Sequence, residues 1–173
     1  MLEKDNQFNI FPSHIGLRKY IQYYNIVFPE KDTFLPQYTL MPNACGTLSL
    51  AFDGNGVKAE LWGASLTPIP LGREPNRYHI LLLIQLSPYG LYQMIRQSQA
   101  EFADKRLSLA DIDYELYKLL HQAFVVSETT GGLVNACEKI LYQRMEKQAV
   151  SDALLFAAAY ISGRHGQTQV QEV

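Results

Sequence analysis

Histidines, cysteines and aromatic residues are the side chains of this sequence that could do chemistry, and their spacing decides which chemistry is open. A metal centre in a small β-rich domain needs two histidines close together on one strand, with a further histidine and a carboxylate nearby. His14, His79, His121 and His165 stand in four separate segments, and none has a second His or Cys at ligand spacing. They read as solvent-exposed or hydrogen-bonded histidines, and no metal or cofactor is expected. Cys45 follows Pro-Asn-Ala and precedes Gly46; with no histidine to take its proton, it reads as a small packed residue rather than a nucleophile. The sequence has no G-x-S-x-G elbow, no phosphate-binding P-loop and no G-x-G-x-x-G opening a helix. Its Gly-Asn-Gly lies between two strand-like runs, where it signals a turn. No catalytic residue is assigned, and the chain is not expected to be an enzyme.

What the sequence does hold in quantity is aromatic side chains, 11 Tyr, 8 Phe and one Trp. They gather in the first half as Tyr20, Tyr23, Tyr24, Tyr38, Trp62 and Tyr78. Tyrosine and tryptophan offer an apolar face with one hydrogen-bonding tip, which suits a cavity for a small organic molecule. Tyr24, Tyr38, Trp62 and Tyr78 are the candidate ligand-binding residues. The same side chains are ordinary packing in β domains, and spacing alone leaves both readings open.

The elements that must position these residues follow from punctuation and period. From Gln37 to Leu86, prolines and glycines separate short runs rich in Leu, Val, Thr and Tyr, so residues 1–86 are expected to be mostly β. Leu48, Leu50 and Phe52 alternate with Thr47, Ser49 and Ala51, and Asp53-Gly54-Asn55-Gly56 tolerates positive φ, which predicts a β-hairpin in "TLSLAFDGNGVKAELWG". "GLRKYIQYYNIVF" has helical spacing at Leu17, Tyr20, Ile21 and Tyr24 but a β-branched and aromatic second half, so it is expected to begin helical and continue as a strand. Ser87-Pro88 supplies an N-cap and first helical residue, and helices are expected at roughly 88–98, 112–124, 131–147 and 150–162. One apolar stripe runs through Ile112, Leu116, Leu119, Leu120 and Ala123. A second runs through Leu133, Cys137, Ile140, Leu141 and Met145, with "SETTGG" as the break between the two. Leu133, Cys137, Ile140 and Leu141 are the candidate dimerisation residues; the alternative is that their stripe closes the domain's own core.

Composition sets outer bounds. A chain of 173 residues that is 47% hydrophobic can bury one main core. A formal charge of −2 without a basic block lacks the electrostatic footprint of a nucleic-acid surface. Two distant cysteines and a polar N-terminus, "MLEKDNQFNIFPSH", point to a reducing, cytoplasmic home. The longest apolar run, "YHILLLIQL", is too short to cross a bilayer and is interrupted by Gln85, so it reads as a buried strand and no membrane is implied.

Three stretches carry a likeness: "PSHIGLRKYIQYYNIVF", "LPQYTLMPNACGTLSLAFDGNG" and "LLLIQLSPYGLYQMIRQSQAEFADKRLSLADI". In the last, Pro88, Gly90, Leu91, Phe102, Leu107, Leu109 and Asp111 stand where strand, proline, glycine, short helix and acid-led segment follow one another. With these the sequence resembles the N-terminal effector domain of AraC-type (AraC/XylS) transcriptional regulators. It departs where "LIQLS" replaces a G-x-x-F strand ending before the proline. "ALLFAAAYISGRHGQTQVQEV" is similar to the start of that family's C-terminal helix-turn-helix pair, cut before the recognition helix that would read bases in the major groove.

The expected fold is α+β: an N-terminal antiparallel, barrel-like β region, cupin-like in the manner of the family's arabinose-sensing members, followed by a helical subdomain. Residues 1–147 form the effector-sensing and dimerisation domain, β-rich over 1–86 and helical over 87–147, and 148–173 the linker and first helices of a severed helix-turn-helix domain. The resemblance implies a homodimer, a small organic effector, and DNA contact only through a C-terminal domain absent from this chain. The alternatives are a stand-alone small-molecule-binding protein or enzyme, which would need a carboxylate or histidine of perturbed pKa in its cavity, and a plain interaction module.

Overall fold

The computed structural model describes residues 2–146 and 152–164. In chain order they form β1 (Phe8–Pro12), β2 (Ile21–Val27), β3 (Thr39–Leu40), β4 (Thr47–Phe52), β5 (Val57–Trp62), β6 (Ile69–Pro70), β7 (Ile80–Leu86), α1 (Pro88–Ile95), β8 (Arg106–Ser108), α2 (Leu109–Ile112), α3 (Tyr114–Val126), α4 (Thr130–Glu146) and α5 (Asp152–Gly163). Six strands make one antiparallel sheet in the order β1-β2-β7-β4-β5-β8, and β3 pairs with β6 in a separate two-stranded ribbon. The fold is α+β, as the sequence predicts, but the sheet does not close into a barrel. Closure would require its edges, β1 and β8, to pair. Instead β8 is three residues long and passes at once into α2.

The register explains which face is the core. Phe11, Tyr24, Ile84, Leu48, Leu61 and Leu107 are successive partners across all six strands and form one apolar row. This face is covered by the helices through Leu91, Met94, Leu109, Leu116, Leu120, Phe124, Leu133, Cys137, Leu141 and Met145, all buried with the strand residues in one cluster. Each fully buried Leu or Ile in such a cluster contributes about 1.5–3 kcal/mol. β7 is apolar on nearly every residue because it is flanked by β2 and β4 and covered on both sides.

Local signals set the connections. Asp53 accepts the N–H groups of Asn55 and Gly56 at 2.9 and 3.1 Å, and Gly54 adopts φ +96°, closing the predicted β4–β5 hairpin. A 3-10 turn at Ile15–Leu17 precedes β2, so the mixed segment begins helical and continues as a strand. Ser87 Oγ accepts the Gly90 N–H at 2.9 Å with Pro88 at the first position, and α1 ends where Arg96 turns left-handed, three residues earlier than expected. Gly90 is required there: a Cβ would lie 1.9 Å from the Tyr20 carbonyl oxygen. Asp113 caps α3 by accepting the Leu116 N–H at 3.0 Å and also pairs with Arg144 of α4.

Two expectations are corrected here. Leu133, Cys137 and Leu141 are wholly buried within the chain itself and Ile140 packs beside them. The stripe therefore closes this chain's core, and Leu133, Cys137 and Leu141 present no free face for a dimer. Leu119, placed on the α3 stripe, is 47% exposed, one step around the helix from the buried Leu116 and Leu120. α5 rests on the same core through Leu155 and Ala158. The further helix expected in "GQTQVQEV" lies outside the described residues.

Candidate ligand-binding cavity

Strand parity builds a second, different face. Because neighbours on a strand point to opposite sides, the residues next to the apolar row share the face away from the helices. One such row runs Asn25, Leu83, Ser49, Glu60 and the next Tyr23, Gln85, Thr47, Trp62, Arg106, each residue paired to the following one across the strands. A sheet face meant only for packing would carry aliphatic residues here. This one carries amides, hydroxyls and a carboxylate, and Ser49 and Gln85 are buried.

A flap covers that face. It consists of the segments 28–46 and 63–79, which hold Pro29, Pro36, Pro42, Pro68, Pro70 and Pro75 and for that reason form only the short β3–β6 ribbon. Backbone bonds join the two segments: Asn43 and Ser65 exchange both N–H···O bonds at 3.1 and 2.9 Å, and the N–H groups of Leu71 and Gly72 donate to the Tyr38 carbonyl. The Asn76 side chain is a clamp between them. Its Oδ1 accepts the Phe34 N–H at 2.9 Å, and its Nδ2 donates to the carbonyls of Lys31 at 2.9 Å and Phe34 at 2.8 Å. At the far end Asp104 accepts the Leu66 N–H at 2.7 Å.

Between sheet and flap lies a cavity of about 270 Å³. Its floor is the two polar rows, and its walls are Phe34, Tyr38, Leu40, Met41, Ile69 and Tyr78 from the flap. The Phe34 and Tyr38 rings pack 4.7 Å apart, and burial pushes the Tyr38 hydroxyl above its ordinary range. Arg106 lies 3.9 Å from the centre of the Trp62 ring, with its Nη1 3.7 Å from Glu74 Oε2. Glu60 pairs with Lys58 at 2.6 Å and accepts the Trp62 Nε1–H at 3.3 Å. Gln85 is fixed at both ends: its Oε1 accepts from Thr47 Oγ1 at 3.1 Å and its Nε2 donates to the Gly46 carbonyl at 3.2 Å. Cys45, at the rim, accepts from Gln22, and burial pushes its thiol up. Asn25 is the exception in this network: its Oδ1 is buried and has no hydrogen-bond partner among the described residues.

Of the four predicted ligand-binding residues, Tyr38, Trp62 and Tyr78 line this cavity together. Tyr24 does not, and that assignment is corrected: its side chain is fully buried in the helix-side core. The aromatic residue that faces the cavity from β2 is its neighbour Tyr23. Sequence reasoning passed over Asn25, Ser49, Glu60 and Arg106, and treated Gln85 only as an interruption. The signal was present, since Ser49 in "TLSLAF" and Gln85 in "LLLIQL" are polar residues inside otherwise apolar strands. Among the described residues no three of His, Cys, Asp and Glu come together as a metal site. No described helix is long and apolar enough to cross a membrane. Compared with protein-family models, with curated proteins and with solved structures, the chain has no match.

Proposed function

We propose that this chain is the small-molecule-sensing part of a transcriptional regulator, in the manner of the AraC-type effector domains its sequence resembles. The observation that carries the reading is the cavity: buried polar side chains of the sheet are enclosed beneath a separately hydrogen-bonded flap, on the face away from the helices and beside a small apolar cluster of Val27, Phe34, Ala51, Tyr78 and Leu81. Binding rather than turnover is favoured because the carboxylates of the lining, Glu60 and Glu74, are each engaged by a cation. Contact with DNA would fall to the helix-turn-helix domain that the resemblance implies. Pairing of two protomers would use a surface other than Leu133, Cys137 and Leu141, which are spent inside the core.

A compound found by thermal-shift screening, incubated with the chain and recovered for mass spectrometry, tests this. Recovery of the unchanged compound is the expected result, and steady conversion to a product would replace the sensor by an enzyme. Fused through its C-terminus to a helix-turn-helix module, the chain should make a reporter respond to that compound. A reporter indifferent to a compound that occupies the cavity would contradict the regulatory reading.

A further inference from the structure

One cation of the cavity lining has hydrogen-bond donors that the protein leaves unused. We infer that the ligand is a small organic acid, its carboxylate seated on Arg106 and its apolar body, about one ring in size, lying among the aromatic walls; the inference rests on the cavity being a binding site.

The donors belong to Arg106. It stands opposite Trp62 in the pairing of β8 with β5, and its guanidinium carbon lies 3.9 Å from the centre of that ring. A ring face holds a guanidinium in place without accepting its N–H groups as a carboxylate would. The nearest carboxylate oxygen, Glu74 Oε2, is 3.7 Å away, beyond hydrogen-bond reach. Among the described residues the Arg106 side chain therefore makes no hydrogen bond, although it is only 27% exposed. Arg77, at the edge of the same cavity, differs: it donates to the Tyr78 hydroxyl. A planar fork of free N–H groups, fixed by a ring and lining a cavity, matches the two oxygens of a carboxylate.

Charge selects the same class. An ion entering a partly enclosed site loses hydration and needs an opposite charge in its place. Glu60 is matched by Lys58 at 2.6 Å, whereas Glu74 lies between two arginines, 3.6 Å from Arg77 and 3.7 Å from Arg106. One carboxylate shared by two guanidinium groups leaves a local excess of one positive charge. That excess suits a monoanion better than a phosphate dianion, and it leaves no lining carboxylate over for a ligand cation.

The walls set the body. Phe34, Tyr38, Trp62 and Tyr78 supply ring surfaces, and the volume of about 270 Å³ lies just below the ~300–1,000 Å³ range of drug-sized sites. A single ring beside the carboxylate fits such a space.

The test uses four probes that do not absorb where tryptophan is excited: cyclohexanecarboxylate, cyclohexanecarboxamide, cyclohexylmethylammonium and inorganic phosphate. Trp62 is the sole tryptophan and carries Arg106 on its ring, so its emission reports occupancy, and the Arg106 Nε–H resonance reports contact with the guanidinium. The carboxylate is expected to shift both signals saturably, at millimolar concentration or below, and at least about tenfold more tightly than the amide. In Arg106→Gln the carboxylate should weaken by about tenfold or more while the amide binds as before. A variant that had lost its fold would lose both, and the wild-type preference for carboxylate over amide, read with the Arg106 resonance, then decides.

Equal or tighter binding of the amide or the ammonium would overturn the acid class and leave the cavity reading standing. Phosphate binding more tightly than the carboxylate would overturn the organic acid. An unchanged carboxylate affinity in a folded Arg106→Gln would overturn Arg106 as its seat. If none of the four binds, the inference fails, and a thermal-shift library of unrelated chemistries shows whether the cavity reading fails with it. Compounds that stabilise the chain and quench Trp62 keep the cavity as a site of another class, and the absence of any such compound removes the binding reading as well.

Discussion

Tyr24 and Asn25 are adjacent in the chain yet belong to opposite layers of the molecule, and each leaves one polar atom without a partner. The Tyr24 hydroxyl is buried in the helix-side core, and burial, with the Glu138 carboxylate and Cys137 nearby, pushes it above the ordinary tyrosine range. Removing an unsatisfied buried hydroxyl while keeping the ring is expected to leave stability unchanged or raise it by about 1 kcal/mol. Tyr24→Phe therefore melts at or above the wild-type temperature, and a loss of more than about 1 kcal/mol in a denaturant titration would mean the hydroxyl has a partner. The same environment acts on Cys137, whose thiol is pushed up to about 12 from its usual 9.0, chiefly by burial and then by Glu138. A raised pKa means the folded state holds its proton after the unfolded chain has released it. The contribution of Cys137 is complete below pH 9 and is lost as pH rises toward 12, at up to about 1.4 kcal/mol per pH unit. Stability measured from pH 8 to 11 should fall more steeply in the wild type than in Cys137→Ala. Parallel curves would show that Cys137 titrates freely.

At the scale of elements, the sheet and the flap are held by different means, and this sets what moves. The sheet's strands pack on the large helical core, whereas the flap is a proline-rich pair of segments tied by a few backbone bonds, the Asn76 side chain and a small cluster of Phe34 and Tyr78 on Val27, Ala51 and Leu81. Regions with few buried apolar contacts open locally at low free-energy cost. Asn76→Ala, which removes three hydrogen bonds from the flap, is expected to speed amide exchange at Phe34 by about tenfold or more and to leave the amides of β4 and β7 unchanged. Equal acceleration in β7 would show that the flap and sheet unfold as one unit. Ser87-Pro88, legible as a cap in the sequence, starts α1, whereas the cap of α3, Asp113, falls inside the helix expected from residue 112. The end of α1 was not legible, because it depends on Arg96 adopting a left-handed conformation that its residue type does not announce.

For the molecule as a whole, periodicity told which residues alternate but not which alternate set meets the helices. In β4 the apolar set Leu48, Leu50 and Phe52 was plain, and the hairpin formed as expected. In β2 the run "IQYYNIV" has aromatic residues side by side, and a register irregularity between Ile21 and Tyr23 resets the parity. A one-residue shift moves a side chain to the other layer, and it puts Tyr23 rather than Tyr24 at the cavity. The α4 stripe was legible as a stripe, but its partner was not. An amphipathic face says only that something covers it, and here α1, α3 and the turn at Ile15–Leu17 lie against it within the same buried cluster. The open sheet could not be read at all, since closure depends on whether the two most distant strands in the order, β1 and β8, find each other.

If the polar face of the sheet, roofed by the flap, is a small-molecule site, a variant that fills the cavity must lose the binding. A thermal-shift screen run in parallel on the wild type and on Ser49→Leu reads occupancy of that one space. A compound present at a hundredfold excess over its Kd stabilises the wild type by about 2.7 kcal/mol, a rise of several degrees in Tm. Such compounds are expected to exist, and their shifts to disappear in Ser49→Leu while the variant itself still melts cooperatively. Shifts of equal size in both proteins would place the binding elsewhere and contradict that assignment.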